Sequence, residues 1–220
     1  MRKHYFEELA NLKEMVLRMG GLAETMTHRA VQALVERKRE ILAEVIGMEQ
    51  QVDRLHIDID ETALGMIALR QPTATDLRFI TAAMKINTDL ERIGDQAINI
   101  VEKAEELLAV PPVKPLIDIP RMAEIAEEML KAALDAFVRG DVELASLTIE
   151  RDDSVDQLKD QIFRELLTFM MADASTIARS MDLILVSRHL ERIADHATNI
   201  CEDVIFMVKG KDVRHQDPPA

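Results

Sequence analysis

Apolar residues recur at steps of three and four along most of the chain, a spacing that places them on one face of an α-helix. The pattern is clearest in two stretches that lie about a hundred residues apart, with Leu90, Ile93, Ala97 and Ile100 in one and Leu190, Ile193, Ala197 and Ile200 in the other. The pattern predicts six long helices, at residues 6–37, 40–70, 74–109, 120–139, 142–171 and 174–209.

Residues that start or stop helices stand at the breaks in this pattern. Pro72 ends the second predicted helix because proline lacks the backbone N–H that a helix interior requires. The segment Thr73-Ala74-Thr75-Asp76 resembles a capping box with Asp in place of Glu. Gly140 and Asp141 can end one helix and cap the next, and Asp173 is a good N-cap for the last.

The chain contains an internal duplication. Residues 89–102 read DLERIGDQAINIVE and residues 189–202 read HLERIADHATNICE, and nine of these fourteen positions are identical. Residues 26–55 match residues 129–158 more weakly, at an offset of 103 rather than 100. Repetition on this scale indicates two copies of one structural unit.

A proline-rich segment separates the two copies. Residues 110–120 read VPPVKPLIDIP and hold four of the seven prolines. We therefore predict an all-α protein made of two tandem three-helix bundles related by internal duplication, with six long antiparallel helices. The predicted organisation is a first three-helix repeat at 1–110, a linker at 111–119, a second repeat at 120–210 and a disordered tail at 211–220.

Composition agrees with this fold and narrows the function. Aromatic residues make up 3% of the 220 residues, which favours helices over sheets. A net charge of −13 argues against nucleic-acid binding, because phosphates would repel the protein. Cys201 is the only cysteine, and neither a signal peptide nor an apolar run long enough to span a membrane is found. A cytoplasmic protein is expected.

The candidate chemistry lies in acidic residues spaced four apart, which are neighbours on a helix with Cβ atoms about 5–6 Å apart. One such pair falls on the second helix and one on the third helix of each repeat. The four matched pairs are Glu49/Asp53, Glu91/Asp95, Asp152/Asp156 and Glu191/Asp195. A fifth pair, Asp156/Asp160, is unmatched because Ile57 stands opposite Asp160 in the first repeat.

Neighbouring helices in a bundle lie about 8–10 Å apart, so two pairs at the same height could bring four carboxylates together. Oxygen ligands of this kind suit hard cations, and Asn99 and Asn199 could add neutral oxygens. The helical angles place the acids near the bundle surface rather than in its core. The alternative is a solvated face on which Arg92 and Arg192 form weak ion pairs with the acids.

Other reactive side chains have ordinary interpretations. His189 and His196 flank the last acidic pair, but Asp89 and Gln96 stand opposite them in the first repeat, so surface or boundary histidines are favoured over metal ligands. Cys201 follows the apolar face of its helix and is predicted to be a buried thiol.

The repeated segments at 89–102 and 189–202 resemble the paired signature sequences of the PhoU family. The residues that carry the likeness are LERIGDQA at 90–97, LERIADHA at 190–197, and LRQP at 69–72 followed by DLR at 76–78. The resemblance implies a metal site in each repeat, with iron, zinc, magnesium or manganese as the ion. The implied metal ligands are Glu49, Asp53, Glu91, Asp95, Asp152, Asp156, Glu191 and Asp195.

The resemblance also implies a regulatory role rather than an enzymatic one. Such a protein restrains phosphate uptake and the phosphate-starvation response, as an adaptor between the phosphate ABC transporter and its sensor histidine kinase. The implied partners are the ATPase subunit of the transporter, the kinase and a second copy of the chain. A carboxylate-bridged metal-dependent hydrolase or oxidase is the alternative.

Overall fold

The computed structural model describes residues 2–211, with side chains from residue 5, and the described chain is helical throughout with short connections. The all-α prediction is confirmed. The predicted tail lies outside the described residues from 212 onward. The helices are α1 Arg2–Glu36, α2 Arg39–Arg70, α3 Ala74–Leu108, α4 Asp118–Arg139, α5 Val142–Glu150, α6 Asp152–Ala172 and α7 Ile177–Lys209.

Helix ends follow the local chemistry of the sequence. The hydroxyl of Thr73 accepts a hydrogen bond from the backbone N–H of Asp76 and donates one to its carboxylate, as the capping interpretation predicts. Gly140 ends α4 with a positive φ of 64°, which glycine adopts without steric cost. Asp141 then caps α5 by accepting from the N–H of Leu144.

The predicted single helix at 142–171 is wrong, because the structure divides it into α5 and α6 at Arg151. Backbone hydrogen bonds there span three residues instead of four, from Arg151 N–H to Thr148 and from Ser154 N–H to Arg151. The guanidinium of Arg151 pairs with Glu128 of α4. A tightened turn of this kind barely disturbs the apolar spacing, so the periodicity gave no sign of it. The last helix likewise begins after a 3₁₀ turn at Ala174–Thr176.

The two repeats share one continuous core. Helices α1, α2 and α3 pack on one another, α4 to α7 form the second bundle, and α3 with α7 and α1 with α4 join the two. Leu, Ile, Val, Ala and Met side chains fill this core, and Phe137 is its largest fully buried side chain. Gly20 lets α1 approach α4 closely, since a Cβ there would meet the Leu134 side chain at 2.5 Å.

Helices α3 and α7 run antiparallel and keep one register along their length. The backbone carbonyl of Met207 accepts from Arg78 at one end, and Lys103 pairs with Asp182 at the other, with Nζ and Oδ1 3.4 Å apart. Between them, His189 contacts Gln96 at 2.9 Å and His196 contacts Asp89 at 2.8 Å. In the duplication, Asp89 is the counterpart of His189, and Gln96 is the counterpart of His196. Each histidine therefore contacts the counterpart of the other histidine.

The segment between α3 and α4 is held to the bundle by basic side chains. Arg37 adopts a positive φ of 57° and its guanidinium donates to the carbonyls of Leu107, Leu108 and Val110. It thereby satisfies carbonyls that the end of α3 leaves free. Lys114 pairs with Glu165 of α6. Within the described chain, no helix combines the length and the apolar character needed to cross a bilayer.

Candidate metal centres

The first acidic cluster comprises Glu49 and Asp53 on α2 with Glu91 and Asp95 on α3. Across the two helices, Glu49 of α2 lies within electrostatic range of Asp95 on α3. Burial raises the pKa of Glu49, and the negative charges of Asp53 and Asp95 raise it further. The cation beside this cluster is Arg92, whose Nε lies 3.4 Å from Glu91 and whose Nη1 lies 3.1 Å from Asp95. Among the acids that the structure describes, Arg92 therefore pairs only with those of its own helix.

Sequence reasoning missed Glu102, whose charge also raises the pKa of Glu49. It lies seven residues after Asp95, about two helical turns along the same face of α3. A signal for it was present, because Glu202 occupies the same position in the second copy of the repeated segment. The acidic face of α3 therefore extends about two turns beyond the predicted ligands Glu91 and Asp95.

The second acidic cluster comprises Asp152 and Asp156 on α6 with Glu191 and Asp195 on α7. Burial raises the pKa of Asp152 to about 6, and the charges of Asp195, Asp156 and Glu191 contribute. Burial likewise raises the pKa of Asp195, with Glu191 and Asp156 as the next causes. The acids of α6 and α7 are thus brought together as the duplication predicted.

A lysine lies within this second cluster. The ammonium of Lys159 is 2.6 Å from Asp156 Oδ1 and 3.0 Å from Glu191 Oε1. The hydrogen bond to Asp156, with that to Glu191, raises the pKa of Lys159 above its usual range. In the part of the chain that the structure describes, Arg192 makes no ion pair within 4 Å, in contrast to Arg92.

The chemistry of the donors fits a hard cation, although the side chains are not arranged as a ready site. Each cluster offers four carboxylates from two helices, and burial first, then neighbouring negative charge, raises the pKa values of Glu49, Asp152 and Asp195. Across residues 5–211, no three His, Cys, Asp or Glu side chains stand together in metal-binding geometry. The eight predicted ligands therefore remain a prediction.

The position of the acids at the surface agrees with the helical angles. The Glu91 and Glu191 side chains are about a quarter exposed, at 25% and 24%, and Asp156 is 53% exposed. An ion could reach either cluster directly from solvent, since neither is enclosed. Ligand exchange would then require changes of side-chain rotamer rather than opening of the bundle.

Comparison with known proteins identifies the family. The sequence model of the PhoU domain matches residues 16–104 and 119–204, one match in each repeat. The chain belongs to the PhoU family. It is 42% identical over 217 residues, or 98% of this chain and 94% of the relative, to a phosphate-specific transport system accessory protein PhoU homolog of Caulobacter vibrioides. An Aquifex aeolicus homolog of the same name is 44% identical, with 96% of each chain covered.

Solved PhoU structures have the same fold as this PhoU-family chain. The crystal structure of PhoU from Pseudomonas aeruginosa superimposes with a TM-score of 0.90 at 36% identity, covering 94% of this chain and all of that one. The phosphate transport system regulatory protein PhoU from Streptococcus pneumoniae superimposes with a TM-score of 0.86 at 26% identity, covering 95% and 99%. The PhoU likeness therefore extends over both repeats and their arrangement.

The remaining candidate residues of this PhoU-family chain have structural roles at its centre. His189 and His196 lie between α3 and α7, and Asn199 donates to Asp89 at 3.2 Å instead of facing the acidic cluster. Burial lowers the pKa of His189 to about 4, with nearby Arg192 as the next cause. Cys201 is a buried thiol as predicted, and burial raises its pKa to about 12.

Proposed function

We propose that this PhoU-family chain is a regulatory accessory protein of phosphate uptake, acting at the cytoplasmic face of the membrane. It would link the phosphate ABC transporter to its sensor histidine kinase and restrain the phosphate-starvation response when phosphate is plentiful. The observation that carries the proposal is the match over almost the whole chain to curated accessory proteins of the phosphate-specific transport system. A regulator, not an enzyme, is the function that this match favours.

Exposed apolar side chains on α6 support a role in protein contacts. Phe163, Leu167 and Met171 recur at steps of four, and their exposed fractions are 48%, 41% and 80%. Phe163 also lines a surface groove of about 340 Å³ together with Lys159 and Glu191 of the second acidic cluster. Apolar residues grouped on a surface in this way suit contact with another protein.

The acidic clusters are proposed to hold iron, zinc, magnesium or manganese ions. Glu49, Asp53, Glu91 and Asp95 would be the ligands in the first repeat, and Asp152, Asp156, Glu191 and Asp195 those in the second. The support is the approach of like charges from two helices, which disfavours the metal-free state. A bound cation would supply positive charge that draws the two helices of each cluster together.

The regulatory role is tested by deleting the gene and following a reporter of the phosphate-starvation response in cells at high phosphate. We expect the reporter to rise in the deletion strain and to fall again when the intact gene is returned. A pull-down from the complemented cells at high phosphate is expected to recover the transporter ATPase subunit and the kinase. An unchanged reporter in the deletion strain would refute the proposed role.

The metal role is tested with the Glu91→Ala/Asp95→Ala double variant. We expect elemental analysis after incubation with Mn²⁺ to show a loss of about half or more of the bound metal, because one of two clusters loses half of its carboxylates. Far-UV circular dichroism should be unchanged, since the replaced side chains are not in the core. Glu105→Ala/Glu106→Ala, on the same helix, removes equal charge and should keep the metal.

An equal metal content in both double variants would overturn the assignment of these ligands. Metal-dependent turnover of a phosphoester that is lost in the Glu91→Ala/Asp95→Ala variant would instead support the hydrolase alternative.

A further inference from the structure

Lys159 joins acids that belong to different helices. Its ammonium contacts Asp156 one turn earlier on α6 and Glu191 on α7, so it lies between the two helices of the second acidic cluster. Its side chain is 29% exposed, which leaves it half-buried among the carboxylates. A positive charge in this position neutralises carboxylates of both helices at once. A metal ion shared by the two helices would have the same effect.

The corresponding position in the first repeat has no such ammonium. The residue there is His56, about one helical turn after Asp53. Its Nε2 lies 4.0 Å from Asp60. The nearby cation, Arg92, pairs with Glu91 and Asp95, both on α3. Within residues 5–211, neither Glu49 nor Asp53 on α2 has an ion pair within 4 Å. No lysine or arginine among the described residues therefore forms ion pairs with acids of both helices of the first cluster.

A second difference lies beside the histidine. Asn87 of α3 is fully buried, and its amide nitrogen donates to the His56 carbonyl at 2.9 Å and to Asp60 at 3.0 Å. These two acceptors fix the orientation of the amide, and its Oδ1 has no donor among the described residues. Ser187 and Phe163 replace Asn87 and Asp60 in the second repeat. The first repeat thus has an amide and a carboxylate at positions where the second has a hydroxyl and an apolar ring.

We propose that Lys159 is a built-in counter-ion of the second acidic cluster, so that a metal ion must displace its ammonium and the two repeats bind metal with different affinities. The inference rests on the proposed metal-binding role of the clusters. In the first cluster Arg92 pairs with the two acids of α3, whereas in the second Lys159 pairs with one acid of each helix.

A groove beside the second cluster could accept the displaced ammonium. A groove of about 340 Å³ between α6 and α7 is lined by Lys159, Asp160, Phe163 and Glu191, and also by the basic Arg188. Asp160 is the unmatched acid of the sequence, and it supplies a carboxylate on the side of this groove. Asp160 offers the displaced ammonium an acidic neighbour in this groove, and Arg188 places a competing positive charge there.

The test measures Mn²⁺ binding by each cluster separately, with isothermal titration calorimetry on the full chain. Glu91→Ala/Asp95→Ala leaves the second cluster intact, and Glu191→Ala/Asp195→Ala leaves the first. We expect the first cluster to bind Mn²⁺ more tightly. Adding Lys159→Gln to the variant that keeps the second cluster should raise its affinity about tenfold, because two ion pairs no longer compete. Adding His56→Lys to the other variant should lower affinity about tenfold.

A metal-free measurement separates this inference from the proposed metal role. Without metal, Lys159→Gln in the otherwise unchanged chain should lower Tm by about 2–4 °C, since Asp156 and Glu191 lose their counter-ion. Lys131→Gln, which replaces an exposed lysine of α4, should leave Tm unchanged.

If neither cluster binds Mn²⁺, the metal role fails, and the Tm difference alone decides whether Lys159 is the counter-ion. The inference is overturned if Lys159→Gln changes neither the Mn²⁺ affinity of the second cluster nor the Tm of the metal-free protein.

Discussion

Replacing Phe137 by Ala is expected to lower the free energy of unfolding by about 3–5 kcal/mol. Phe137 is the largest fully buried side chain, and its ring stacks on Phe79 with the centroids 5.5 Å apart. Phe137 belongs to α4 of the second repeat and Phe79 to α3 of the first, so the substitution opens a cavity where the repeats meet. Urea unfolding followed by far-UV circular dichroism measures the loss.

Two variants make this result specific. Phe137→Leu keeps most of the buried volume and should cost less than about 1.5 kcal/mol. Phe6→Ala removes a ring that is 62% exposed and should change stability by no more than about 0.5 kcal/mol. Because the repeats share one core, unfolding is expected to stay a single transition in all three variants. A Phe137→Ala protein as stable as Phe6→Ala would contradict the packing between the repeats.

Acidification is expected to destabilise the protein through His189. Burial lowers the pKa of His189 to about 4 in the folded chain, whereas an unfolded histidine titrates near 6.5. Between these pH values the unfolded chain binds a proton that the folded chain does not, so stability falls as the pH falls. The difference amounts to up to about 2 kcal/mol between pH 7.5 and pH 5.0.

The His189→Gln variant isolates this effect, because glutamine does not titrate and its amide can donate to Gln96. Wild type and variant are unfolded with urea at both pH values in the presence of a chelator. The raised pKa values of Glu49, Asp152 and Asp195 act in the opposite direction, since protonation on acidification removes charges that are costly to bury and that repel one another. That contribution is common to both proteins and cancels in the comparison. An equal pH dependence of the two proteins would show that His189 is not the cause.

Much of the fold could be predicted because the internal duplication repeats the same residue pattern in both halves of the chain. The repeated LERI segments placed Glu91 and Glu191 at equivalent positions of two helices, and the proline cluster marked the connection between the repeats. The apolar spacing then predicted which face of each helix is buried, and Ile93 and Ile193 are both fully buried. Duplication thus supplied pairings between helices that a single periodic pattern does not contain.

The parts that could not be predicted depend on contacts between helices. The break at Arg151 involves a tightened turn and a partner on α4, and neither changes the spacing of apolar residues. The position of Lys159 in the second acidic cluster depends on the distance between α6 and α7, since Glu191 lies 32 residues away in the chain. His189 and His196 gave no sign of pairing with Gln96 and Asp89, because the order of helices in space was unknown.

The constant register of α3 against α7 has a consequence for the history of the chain. A single three-helix unit could form the same antiparallel contact with an identical copy, as an isologous dimer about a twofold axis. In such an ancestor the pairs at positions 89–196 and 96–189 would be identical, whereas here one is Asp with His and the other is Gln with His. In a single chain the two halves need not be identical, and the Asp89–His196 and Gln96–His189 contacts make each half complementary to the other instead of to itself.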